Sequence, residues 1–70
     1  MDLKSPAVGK VLQVNVEVGA QVARGEELMV IESMKVEIPI KATAAGRIRE
    51  LRVKAGDQVQ RNVVLVVIEN

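Results

Sequence analysis

Lys35 is the residue whose setting points most clearly to chemistry in this 70-residue chain. It stands in the run Glu32-Ser33-Met34-Lys35-Val36-Glu37, where alternating apolar and polar residues give way to a Met-Lys pair. A primary amine held clear of a rigid surface can be acylated, so a group can be hung on it through an amide. Other routes to catalysis are closed by composition. The chain has no His and no Cys, so it can assemble no imidazole base, thiol nucleophile or Ser-His pair. Disulfides and ordinary zinc sites are excluded for the same reason. With no Phe, Tyr or Trp, the stacking platforms of single-strand nucleic-acid readers are missing. A formal net charge of +1 lacks the basic excess that phosphate backbones select. The cluster Arg47, Arg49, Arg52 and Lys54 is the other charged feature, read as a solvated outer sheet or, alternatively, a docking surface for a partner.

A lysine on a hairpin is ordinarily just a solvated charge. What sets Lys35 apart is its position in an internal repeat. Shifting the sequence by 37 residues aligns Gly9–Ser33 with Gly46–Asn70 without a gap, and ten of the 25 pairs are identical. The identities include Gly9/Gly46, Gly19/Gly56, Gln21/Gln58, Arg24/Arg61, Leu28/Leu65, Ile31/Ile68 and Glu32/Glu69, and similarity extends back to Leu3/Ile40. Two Val-rich strands would not match both glycines, Gln, Arg and Glu in one register by chance. Residues 1–70 therefore form a single domain of two half-repeats, 3–33 and 40–70, packed about a pseudo-twofold axis. Lys35 falls between the halves, where no symmetry mate exists.

The repeat also locates the turn. Residues 28–41 carry apolar side chains at alternate positions, and as one strand the segment would be about twice the usual length. The matching strand of the second half stops at Glu69-Asn70, level with Glu32-Ser33. A two-residue turn at Met34-Lys35 follows, placing Ser33 opposite Val36, Glu32 opposite Glu37 and Ile31 opposite Ile38. One face then carries Met29, Ile31, Ser33, Val36, Ile38 and Ile40. Neither Met nor Lys belongs to the Asn/Asp/Gly set that favours tight hairpins, and a turn residue chosen against local propensity marks function.

Fourteen Val and five Ile make the fold all-β. Each half contains a short strand (3–5 or 36–41), a longer one (10–16 or 47–53), a two- or three-residue piece around Val22 or Val59, and a last strand (27–33 or 63–68). Glycine turns are expected at Gly19-Ala20 and Gly56-Asp57. In the longer strands the apolar residues are spaced three and then two: Val11, Val14, Val16 and Ile48, Leu51, Val53. That slip from period two predicts a bulge where the sheet curls. Residues 42–45 read as a loop. Eight short strands in two antiparallel sheets, curled toward a barrel, would protect most edges. The longest apolar run, Val63–Ile68, is far short of a membrane span.

These features resemble the biotin/lipoyl attachment family. Residues 32–39 are similar to the modification motif of biotinyl domains, in which a Met-Lys pair, most often followed by Met, presents the acceptor lysine. Pro6-Ala7-Val8-Gly9 and the Gly-x-x-Val turn of each half also look like the family pattern. The resemblance implies a flattened barrel of two four-stranded antiparallel sheets, a barrel-sandwich hybrid, with covalent biotin on Lys35, flanked by Met34 and Val36 as ligase-recognition residues and by Glu32 and Ser33 in the hairpin. It further implies a non-catalytic swinging-arm subunit that is loaded by a biotin protein ligase. Such a carrier takes carboxybiotin from a biotin carboxylase to a carboxyltransferase acting on an acyl-CoA or a 2-oxo acid, as with the acetyl-CoA of fatty acid biosynthesis. A monomeric, cytoplasmic carrier is expected, either free-standing or excised from a larger carboxylase, with no nucleic-acid or membrane partner. The sequence departs from the motif at Val36, where Met is usual, at Ser33, where many members have Ala, and at Thr43, where Pro often opens the second half. Lipoyl domains share the fold but usually carry Asp before the lysine, where this chain has Met34. A lipoyl carrier, an unmodified lipoyl-like structural module and a general interaction barrel are the alternatives.

Overall fold

The computed structural model describes all 70 residues, and β-branched side chains hold most of the backbone extended. The strands are β1 (Asp2–Lys4), β2 (Gly9–Val14), β3 (Gln21–Val22), β4 (Glu27–Ser33), β5 (Val36–Lys41), β6 (Gly46–Leu51), β7 (Gln58–Val59) and β8 (Val64–Glu69). They form two four-stranded sheets, ordered β1-β8-β6-β3 and β5-β4-β2-β7, with every pair antiparallel. Residues 42–45 form a loop, and there is no helix.

The 37-residue repeat is the symmetry of the molecule. Adding 37 carries β1 onto β5, β2 onto β6 and β3 onto β7, and carries β4 onto β8. The pairings follow: Lys10↔Glu32, Val11↔Ile31, Gln13↔Val30 and Val14↔Met29 reappear as Arg47↔Glu69, Ile48↔Ile68, Glu50↔Val67 and Leu51↔Val66. The register shifts between Val11 and Gln13, and between Ile48 and Glu50. These are the bulges that the irregular apolar spacing predicts, and the extra residue brings Val11 and Val14 to the same face. The molecule has a second pair of bulges that the apolar spacing does not predict. Register also shifts between Glu27 and Met29 in β4, and opposite Leu3/Lys4 in β8. There Leu28 and Met29 are consecutive and both fully buried, as are Leu65 and Val66, which strict alternation forbids.

The longer strands β2 and β6 stop two residues before the expected ends at Val16 and Val53. Just beyond Val14 the chain leaves one sheet for the other: Asn15 N still donates to Leu28 O at 2.8 Å, whereas Gly19 N donates to Ile48 O at 2.8 Å. Gly19 and Gly56 turn the chain with φ of 93° and 96°, a region open to glycine at no steric cost. Val16 and Val53 still pack against the core.

That core is aliphatic throughout. Leu3, Val11, Val22, Leu28, Met29, Ile31 and Ile40 come from the first half and the hairpin, and Ile48, Val59, Leu65, Val66 and Ile68 from the second. Each fully buried Leu or Ile contributes about 1.5–3 kcal/mol. Ser5 is the buried polar side chain, and its Oγ donates to Ala7 O at 2.7 Å.

Candidate functional site

β4 and β5 meet in the anticipated register: Ser33↔Val36, Glu32↔Glu37 and Ile31↔Ile38. Two residues are left for the turn, and both take left-handed backbone, Met34 at φ 51° and Lys35 at φ 68°. That is the mirror-image turn whose twist matches the flanking strands, and it demands positive φ twice. Filling it with two side-chain-bearing residues costs roughly 1–2 kcal/mol for each. The strand pairing on either side over-determines the turn and so keeps it in place.

The consequence is presentation. Met34 is 93% exposed and Val36 60%. Lys35 is exposed between them and makes no hydrogen bond or salt bridge. No side chain covers or pairs with its amine. The apolar face anticipated for the hairpin holds along most of its length. Met29, Ile31 and Ile40 are buried and Ser33 and Ile38 half-buried, but Val36 has passed beyond the barrel into solvent. Glu32 and Glu37 are both exposed. Lys10 stands opposite Glu32 on the β2 side, which offsets the like-charge pairing of the two carboxylates.

β5 is an edge strand. A two-residue turn makes Ser33/Val36 and Ile31/Ile38 the hydrogen-bonded pairs, so Pro39 falls on the outward side, where no N–H is required. Proline there also blunts the edge against strand addition.

Ser33 links the hairpin to the rest of the tip: its Oγ donates to Val8 O at 2.7 Å. Beyond Val8 lies the turn at Gln60–Val63, because β2 pairs with β7 through Gly9↔Val59. The same turn is fixed by Ser5 N to Val63 O and Asn62 N to Ser5 O, each 2.9 Å. Pro6, Ala7, Val8 and Arg61 therefore join Ser33 and Met34 at one end of the barrel. Reading along the chain did not bring Val8 or Arg61 to this place. The signal existed only in combination, because the register of β2 against β7 puts residues 8 and 61 on one rim.

None of the basic cluster is among the residues gathered there. Arg47 and Arg49 lie on β6 in the other sheet. Arg49 pairs with Glu69 at 3.9 Å and Arg52 with Glu50 at 2.9 Å, both exposed. Such pairs are worth about 0–1 kcal/mol.

The chain as a whole is similar to known proteins. The family model described as "Biotin-requiring enzyme" matches residues 1–68. A Mycobacterium leprae (strain TN) protein, "Biotinylated protein TB7.3 homolog", is 44% identical over 39 residues, which is 56% of this chain and 55% of that protein. The chain thus spans about half the length of the curated relatives it matches. Among solved structures, the Kluyveromyces lactis urea carboxylase superposes with a TM-score of 0.91 at 30% identity, over 99% of this chain and 6% of that one. The lipoyl domain of the 2-oxoglutarate dehydrogenase complex from Azotobacter vinelandii superposes with a TM-score of 0.87 at 30% identity, over 100% of this chain and 96% of that one. An eight-stranded barrel of two related halves, with a Met-Lys turn between them, belongs to the biotin/lipoyl attachment family.

Proposed function

We propose that this chain is a biotin carboxyl carrier domain, acylated on Lys35. The residues fit the group. An amine that is solvent-exposed and free of ion pairs can enter a ligase active site without rearranging the barrel. Its rigid two-residue turn fixes the direction of the arm. The observation that carries the reading is the pair Met34-Lys35 at that turn, with an apolar thioether where a lipoyl domain usually presents Asp. Substituting Met for Asp changes charge, hydration and contact surface together, which favours a ligase pocket built for apolar flanks. The relative whose name records biotinylation supports the same choice.

A biotin protein ligase would activate the biotin carboxyl group at the expense of ATP. The Lys35 ammonium gives up one proton, its neutral nitrogen attacks, the amide bond forms as the bond to the activating group breaks, and the nitrogen sheds a second proton and ends uncharged. Biotin supplies a ureido nitrogen that can hold and release a carboxyl group. The domain contributes the rigid mount, and tethering replaces diffusion between a biotin carboxylase and a carboxyltransferase with a local effective concentration. The acceptor would be an acyl-CoA or a 2-oxo acid. Beyond that one amide, no side chain of the domain needs to take part in the carboxyl transfer.

The lipoyl reading is the second one, favoured by the near whole-length superposition on a lipoyl domain. Co-expression with a biotin protein ligase and intact-mass measurement separates the two. The expected result is an increment of one biotinyl group that is lost completely in Lys35→Ala. A lipoyl increment alone, or no increment, would overturn the proposal.

A further inference from the structure

Beside the Lys35 turn lies a shallow groove of about 400 Å³, lined by Pro6, Ala7, Val8, Ser33, Met34 and Arg61. Its walls are unusual for a surface. Val8 is 56% and Met34 93% exposed, an apolar pair left uncovered in the groove that also holds one cation. Arg61 has no carboxylate partner within salt-bridge distance. The loop that carries Pro6, Ala7 and Val8 is held from both ends: Ser5 Oγ donates to Ala7 O and Ser33 Oγ to Val8 O, each at 2.7 Å. Proline further restricts it. The groove is therefore a preformed shelf.

The pseudo-twofold axis supplies an internal comparison. Adding or subtracting 37 converts Pro6, Val8 and Arg61 into Thr43, Ala45 and Arg24. The arginine is kept in both halves, but the apolar shelf is present only in the half that borders the Met-Lys turn. A purely architectural role would ask for the same residues at both ends.

Resting on the biotin reading above, we infer that this groove is a berth for the biotin ring system carried by Lys35. The fused ring lies against Pro6 and Val8, and the Arg61 guanidinium donates to the ureido oxygen. The chemistry is complementary. The thioether-containing ring is apolar on its edges, whereas the ureido carbonyl is a strong acceptor that a guanidinium satisfies well. Reach is not limiting, since a lysyl arm with its acyl chain extends on the order of 14 Å at standard bond lengths and the groove begins one residue away at Met34. A dithiolane ring has no such acceptor, so the Arg61 contact is selective for biotin. A seated ring would keep the ureido edge close to the domain between visits to its partners.

The test uses the intact chain, ¹⁵N- and ¹³C-methyl-labelled, before and after enzymatic biotinylation, with loading verified by intact mass. Expected are shifts of the Ala7 and Val8 amides and of the Arg61 side-chain Nε–H, and NOEs from biotin ring protons to the Val8 methyl groups. Arg61→Gln should load fully yet lose those NOEs. Arg24→Gln, the same change at the symmetry-related turn, should keep them. Shifts confined to residues 34–36 on fully loaded protein would overturn the berth while leaving the carrier function intact. NOEs that survive Arg61→Gln would overturn the role given to the guanidinium. Protein that takes up no biotin would overturn the function and the berth together.

Discussion

Met34 and Lys35 hold positive φ without being glycine or asparagine, so this turn stores strain at the place where the proposed acceptor amine is presented. Met34→Asn should release part of it, because asparagine tolerates left-handed backbone. A gain of about 1 kcal/mol would raise the melting temperature of a domain this size by roughly 4–8 °C, readable by calorimetry. The same variant should be biotinylated more slowly, about tenfold or more, if burying a Met in the ligase is worth its usual 1.5–3 kcal/mol. A timed mass assay reads that rate. Stability and loading moving in opposite directions is the signature of a residue selected for its partner. The turn itself was legible in the sequence, since the repeat ends at Ser33 and leaves two residues over. Its strain was visible only as an oddity of composition.

At the level of strands, the hairpin is set by what lies behind it. Gly9 and Gly46 pass so close to the neighbouring strand that side chains do not fit. A Cβ on Gly46 would stand 2.7 Å from both Glu69 O and Ile68 Cγ2, and one on Gly9 would collide with Glu32 O. Either alanine variant must push two strands apart, and overpacking of this kind costs about 1–3 kcal/mol. Gly9→Ala and Gly46→Ala should therefore both lower thermal stability. Only Gly9→Ala, next to Glu32 and Ser33, should also disturb Lys35, seen as amide shifts at residues 33–36. The Val11/Val14 and Ile48/Leu51 bulges could be read from spacing, because one extra residue between apolar positions breaks alternation visibly. The bulges at Leu28 and Leu65 could not. A run of apolar residues looks the same whether it alternates across a sheet or turns two neighbours inward.

For the whole molecule, stability rests on aliphatic side chains alone. A chain of 70 residues is expected to have only about 4–10 kcal/mol of folding free energy. Leu65 is fully buried at the second of those bulges, and Leu65→Ala should cost about 2–5 kcal/mol. The melting temperature should then fall by roughly 10–30 °C, checked by far-ultraviolet circular dichroism. Duplication, two sheets and the central lysine were all legible because they leave a periodic trace. The rim formed by Val8 and Arg61 was not, because it depends on Gly9 meeting Val59, two residues far apart in the chain, in one strand register. The symmetry has one further consequence. β1 pairs with β8 as β5 pairs with β4, but no turn joins them: Met1 N donates to Ile68 O at 2.8 Å, and β8 runs away from the Arg61 turn toward Asn70. The two chain ends thus meet at the pole opposite Lys35, and that pole is an open hairpin. The barrel is topologically a ring that has been cut once. It could be spliced into a host loop, or closed there by the four residues that match 34–37, a second Met-Lys pair among them, giving a barrel with one lysine arm at each pole.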